Sequence, residues 1–242
     1  MQQNLKISSK NRAVKLGQMI GRKHHYTTLK SFGFGSKTGI DAPGETNGML
    51  ISYKDWSKID AGAISFGQGI SVSAIQLTAA TSAIANQGIL MKPYVVDSIV
   101  SANGQTVRRV APQKVRRVMS SQTAGTLNRI MQTVITQGGT GVKAALDGYT
   151  VCGKTGTAQK TDSSGTYARG KYIASFVGFA PAEKPAVTVL VAVNEPKGQH
   201  YGGIVAGPAF RKIAHETLNY LNIPPVKTTE RLSVAREDSS VG

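Results

Sequence analysis

The second half of the chain contains three β-prone runs, and the first leads into a tetrapeptide of one cation, two hydroxyls and a glycine. Gly148-Tyr149-Thr150-Val151-Cys152 precedes Lys154-Thr155-Gly156-Thr157, and residues 172–179 and 187–193 form two further runs bounded by Gly, Pro and polar residues. Their β-branched and aromatic content and turn-rich borders predict neighbouring strands. Set on an inner strand, Lys154, Thr155, Gly156 and Thr157 would line one edge of a cleft. Glycine lets a substrate backbone lie close, and flanking N–H groups can face a developing oxyanion. That combination suits holding a carboxylate and a tetrahedral intermediate.

The rest of the sequence reads as helices and loops around this sheet. Helical spacing predicts helices over 12–19 and 26–32. Residues 33–57, rich in Gly, Pro, Asp and Ser, read as a long structured loop. A second Lys37-Thr38-Gly39 lies there among turn residues with no strand before it, and is taken as a decoy. An alanine-rich helix over 74–86 has Ser71 or Ser73 as N-cap and Gly88 at C′. Residues 95–100 and 106–110 around Asn103-Gly104 predict a hairpin with a type I′ turn. Ser120 or Ser121 opens a helix to about 136, and Pro208 opens another to 221. The organisation expected is one α+β domain over 1–223, an antiparallel sheet with flanking helices. A tail over 224–242 lacks apolar periodicity and is expected to be disordered.

Charge and composition exclude several functions. Lys and Arg number 29 against 13 Asp and Glu, a net charge of +16 that invites an anionic partner. The cations come as scattered pairs (Arg22-Lys23, Arg108-Arg109, Arg116-Arg117) without a nucleic-acid module, so the partner expected is an anionic envelope polymer or lipid head group, not a specific nucleic acid. The single Cys152 excludes an internal disulfide, and with no base near it in sequence it reads as core-facing. His24, His25, His200 and His215 lack metal-ligand spacing with carboxylates, so no metal is expected.

Six ordered blocks carry a resemblance: Phe32-Gly33-Phe34-Gly35, Lys37-Thr38-Gly39-Ile40 with Gly44-Glu45, Ser65-Phe66-Gly67-Gln68-Gly69, Gly139-Thr140-Gly141-Val142-Lys143-Ala144-Ala145, Lys154-Thr155-Gly156-Thr157-Ala158 and Tyr201-Gly202-Gly203. From about residue 5 to 222 the chain resembles the C-terminal half of a class B penicillin-binding protein transpeptidase domain, closest to the division-specific septal peptidoglycan D,D-transpeptidases. The resemblance implies the penicillin-binding and β-lactamase-like fold, with peptidoglycan stem peptides and β-lactams as ligands and divisome proteins as partners. It implies serine acyl transfer, which needs no cofactor. The family's nucleophile lies in a Ser-x-x-Lys motif, and no Ser-x-x-Lys occurs here. That segment, the first strands and the membrane anchor would fall before residue 1.

The resemblance also assigns roles. Lys154 would link the third motif to the serine of the second, a Ser-x-Asn. Thr155 and Thr157, with Gly156, would meet the substrate or β-lactam carboxylate, and the Thr157 N–H would form half of an oxyanion hole. An ungapped count puts Ser8-Ser9-Lys10 at the second motif, with lysine for asparagine. A one-residue shift puts Ser9-Lys10-Asn11 there instead. Ser8 and Ser9 could relay a proton to the leaving amine, with Ser8 the catalytic candidate, and capping of the following helix is the alternative for both. Tyr201-Gly202-Gly203 would shape the cleft rim. The function expected is a truncated transpeptidase domain of septal wall synthesis, inactive alone. The alternatives are a noncatalytic peptidoglycan- or divisome-binding module and a non-functional gene remnant. The family is anchored in the inner membrane with a periplasmic domain. This chain carries no signal peptide or spanning segment, so as encoded it is expected in the cytoplasm unless its N-terminus is incomplete.

Overall fold

Helices occupy most of the first 31 residues, where proline is absent and glycine breaks the run only at Gly21. In the computed structural model, which describes residues 2–162 and 166–225, helices α1 (Gln2–Lys6), α2 (Lys10–Ile20) and α3 (Arg22–Ser31) follow one another. Gly21, with φ of +78°, makes the break between α2 and α3, so α3 begins four residues before the apolar spacing suggested. The loop over 33–57 is present, with one 3-10 turn at Tyr53–Asp55. Helix α4 (Lys58–Ile64) was not foreseen, although Ser57 and Asp60 form a reciprocal capping box at its start.

Helix α5 (Ala74–Ala85) takes Ser73 as its N-cap, in a capping box with Gln76; Ser71 instead bridges Met49. Its end departs from expectation by one residue. Gln87 takes the left-handed conformation at φ +53°, and the Gly88 N–H closes on Ala83 O at 2.7 Å. Two short antiparallel ribbons follow, β1 (Ile89–Lys92) with the later β4 (Gln113–Arg117), and β2 (Ser98–Val100) with β3 (Thr106–Arg109). The second is the expected hairpin, but its turn is not type I′. Only Gly104 of the Asn-Gly pair has positive φ (+82°), and a five-residue connection closes through Ser101 N–H to Gln105 O. Helix α6 (Ser121–Gln132) is capped by Ser120.

The main sheet is an antiparallel meander of β5 (Cys152–Thr161), β6 (Tyr167–Ala180) and β7 (Val187–Asn194) in sequence order. The run over 148–151 is not strand. Gly148 turns at φ +78° and Tyr149 bridges back to Leu146, so the strand begins at Cys152 and contains the tetrapeptide itself. Helices α7 (Gly202–Val205) and α8 (Gly207–Tyr220, proline in its first turn) complete the fold.

The sheet is packed on both faces around the C-terminal half of β6 and the start of β5. Phe210, Ala214 and Leu218 recur every four residues on α8 and pack with Phe176, Ala180, Val189 and Val191 in one cluster. Cys152, Phe179 and Ala182 meet Met131 of α6, with Ile84 of α5, on the other. Each large side chain buried this way contributes about 1.5–3 kcal/mol, so the two layers fix the strand that carries the tetrapeptide. Tyr149 Oη donates to Ile223 O at 2.7 Å, tying the chain after α8 to the core. Of the expected disordered tail, all but Pro224 and Pro225 lies outside the described residues. Among the described residues no helix is long and apolar enough to cross a membrane.

Candidate functional site

Strand β5 is not the inner strand expected but an edge strand among the described residues: β6 pairs with one side of it, and no described strand pairs with the other. Alternate backbone groups of such an edge are open to an added chain. Cross-strand register sets Lys154 opposite Val177, Thr155 opposite Phe176, Gly156 opposite Ser175 and Thr157 opposite Ala174. The tetrapeptide is therefore anchored by β6 while its free edge faces outward.

Lys154 reaches from this edge to the N-terminal helices. Its Nζ donates to Ser8 Oγ at 2.7 Å and to Thr155 O at 2.8 Å, both neutral acceptors. Burial without a carboxylate partner lowers the ammonium from an ordinary 10.5 to about 8, because desolvation disfavours the charged form. Ser8 sits between α1 and α2 with φ of +53°, a conformation costly for a non-glycine residue. Ser9 holds the N-cap position of α2 but makes no side-chain cap bond. Ser8 and Lys154 lie 146 residues apart in sequence, and the fold brings them together. Lys10, in the first turn of α2, places its ammonium 5.5 Å from the centre of the Phe66 ring.

The two threonines have different partners. Thr155 Oγ1 shares a hydrogen with Thr140 Oγ1 at 2.8 Å. Thr157 Oγ1 accepts from the Gly202 N–H at 3.2 Å, which leaves its own hydrogen available to an acceptor in the cleft. Gly202 and Gly203 are required by contact. A Cβ on Gly202 would lie 2.1 Å from Ser175 O and 2.3 Å from Gly156 O, and one on Gly203 2.0 Å from Thr140 O. The Tyr-Gly-Gly segment thus presses backbone to backbone against the tetrapeptide. Thr140 and Gly202 were not singled out by sequence reasoning as partners of these threonines. Both stood in the ordered blocks, which carried the signal without the contact.

The second Lys-Thr-Gly has a different occupation. Thr38 N–H and Oγ1 donate to Glu45 Oε1 at 2.5 and 2.6 Å, and Gly39 N–H to Oε2 at 3.1 Å. An internal carboxylate fills it, so this copy latches a loop. Cys152 is wholly buried and its Sγ lies 2.9 Å from Asn128 Oδ1. Burial, reinforced by the Glu183 charge, pushes its thiol up to about 12. Maleimide should therefore leave Cys152 unmodified in native buffer and label it completely in urea; rapid native labelling would show that the core around α6 opens. Among the described residues, no three His, Cys, Asp or Glu side chains cluster as a metal site.

The chain matches the family model described as the penicillin binding protein transpeptidase domain over residues 1–215. It is 39% identical over 216 residues to stage V sporulation protein D of Bacillus subtilis, covering 88% of this chain and 33% of that protein. It is 40% identical over 214 residues to the probable peptidoglycan D,D-transpeptidase PenA of Neisseria meningitidis, covering 88% and 35%. The chain thus spans about a third of the length of these curated relatives. Among solved structures, penicillin binding protein 3 of Mycobacterium tuberculosis in complex with ampicillin superimposes with a TM-score of 0.87 at 30% identity, covering 95% of this chain and 53% of that one.

Proposed function

The chain belongs to the penicillin-binding protein transpeptidase family, and from that premise we propose that it supplies the Lys-Thr-Gly face of a peptidoglycan D,D-transpeptidase acting at the division septum. The observation that carries this reading is the 2.7 Å contact from Lys154 Nζ to Ser8 Oγ, beside an unpaired strand edge. Lys154, about half neutral near pH 8, and Ser8 form a two-member path along which a proton can reach a leaving amine. The Thr157 hydroxyl, its oxygen already accepting from Gly202, donates to the carboxylate of a stem peptide or β-lactam. Thr155 shares that duty, Gly156 admits the substrate backbone, and the Thr157 N–H provides one donor to the oxyanion. The Ser8 contact favours the ungapped placement of the second motif, so Lys10 stands where the family has asparagine.

The acylating serine has to come from polypeptide other than these residues, since no Ser-x-x-Lys occurs among them. Divisome proteins are the partners this reading proposes. Fluorescent penicillin and a denaturing gel test it. The 242-residue chain alone should show no covalent label. Mixed with the Ser-x-x-Lys half of a related transpeptidase, it should raise labelling of that half well above the half alone. Equal labelling with and without this chain would defeat the reading.

A further inference from the structure

A well-formed cavity lies away from the tetrapeptide. It has a volume of about 410 Å³ and opens between α3, the loop over 33–38, α5 and the β1–β4 ribbon. Its apolar wall is Phe32, Ala79, Leu90, Met91, Pro93 and Val115. Lys30, Lys37 and Arg116 stand around it, and no Asp or Glu lines it. The volume falls within the range usual for small-molecule sites.

The walls are fastened before any ligand arrives. Gln76, 1% exposed, donates to Ser36 O at 2.7 Å and to Asn47 O at 2.9 Å, and accepts from Ser73 N–H at 2.8 Å. The Glu45 latch fixes Thr38 and Gly39. Lys30 Nζ donates to Ser36 Oγ at 2.9 Å and to Gly35 O at 3.4 Å, so one of its three hydrogens remains for a ligand. Glu45 is the carboxylate near Lys37, and it is already engaged by three donors of the latch. A site held open in this way has little ordering cost on binding.

We propose that this cavity binds a small amphiphilic anion, its aliphatic or aromatic body against Leu90, Met91 and Val115 and its carboxylate at Lys37 and Arg116. The site is separate from the transpeptidase reading and does not depend on it. Octanoate is the probe, followed by methyl NMR of the 242-residue chain. Saturable shifts of the Leu90 and Val115 methyls are expected, with the distant Leu218 methyls unmoved. Octan-1-ol, which keeps the apolar body and lacks the charge, should bind about tenfold or more weakly. Arg116→Glu should raise the octanoate Kd about tenfold or more, and Arg116→Lys should retain most of the affinity. Arg116 is exposed on β4, so its replacement leaves the fold intact; Lys37→Ala, on a separate segment, reads the same charge dependence independently. Absence of saturable shifts, equal binding of octanol, or indifference to both charge changes would each overturn the proposal.

Discussion

Lys154→Ala should lower acylation in the reconstituted penicillin assay by about a hundredfold or more, the scale set by removing one preorganised donor from an acyl-transfer site. The substitution deletes the group that Ser8 Oγ and Thr155 O both meet, so the proposed proton path and the tie between Ser8 and the strand edge are lost together. Thr157→Val should be milder, about fivefold to tenfold, because the backbone N–H remains and only a hydroxyl contact goes. If Lys37→Ala is as damaging as Lys154→Ala, the wrong tripeptide has been assigned. A separate readout distinguishes chemistry from folding. The Lys154 ammonium is lowered to about 8, so between there and its ordinary 10.5 the folded chain binds fewer protons than the unfolded one. Stability then rises with pH across that window, and the desolvated charge weighs against the fold below pH 8. Lys154→Met should flatten that slope and leave the thermal midpoint at pH 7 no lower than in the parent chain. A large drop in midpoint at pH 7 would make Lys154 a structural residue.

Much of the sheet was legible because its signals are local. The β-branched and aromatic runs over residues 172–179 and 187–193 lie within β6 and β7, and the tetrapeptide lies on β5, which pairs with β6. What escaped was set by contacts far apart in sequence. Ribbon β4 reads Gln113-Lys114-Val115-Arg116-Arg117 and is exposed throughout, so no apolar pattern announces it; it exists because Leu90 and Met91 pair with Arg116 and Lys114. The Gly148–Val151 run has strand-like residues, yet one left-handed glycine turns it aside. At the site, the tripeptide named its own residues. The Thr140 and Gly202 contacts depend on a loop and a short helix folding back onto β5, and the tripeptide cannot encode them.

Phe176→Ala should be the most destabilising single truncation beneath the site, at about 3–5 kcal/mol. The ring is wholly buried, lies 4.6 Å from that of Phe210, and belongs to the residue paired with Thr155 on β5. Against a total stability of about 5–15 kcal/mol this is a large share, and for a chain of this size it predicts a thermal midpoint lower by about 6–20 °C. The ring also explains two glycines that no positive φ requires. A Cβ on Gly153 would stand 2.3 Å from Phe176 Cζ, and one on Gly141 2.9 Å from Cε2. Both glycines are there to receive the ring, so Gly153→Ala should destabilise the parent chain by about 1–3 kcal/mol through overpacking. In the Phe176→Ala background the added methyl would enter the vacated space, and Gly153→Ala should then cost little. The two substitutions should therefore be strongly non-additive in a double-mutant cycle, with a coupling of at least about 1 kcal/mol. Additive effects would mean that Gly153 is needed for the backbone itself, where Val177 O lies 3.2 Å from the same Cβ position.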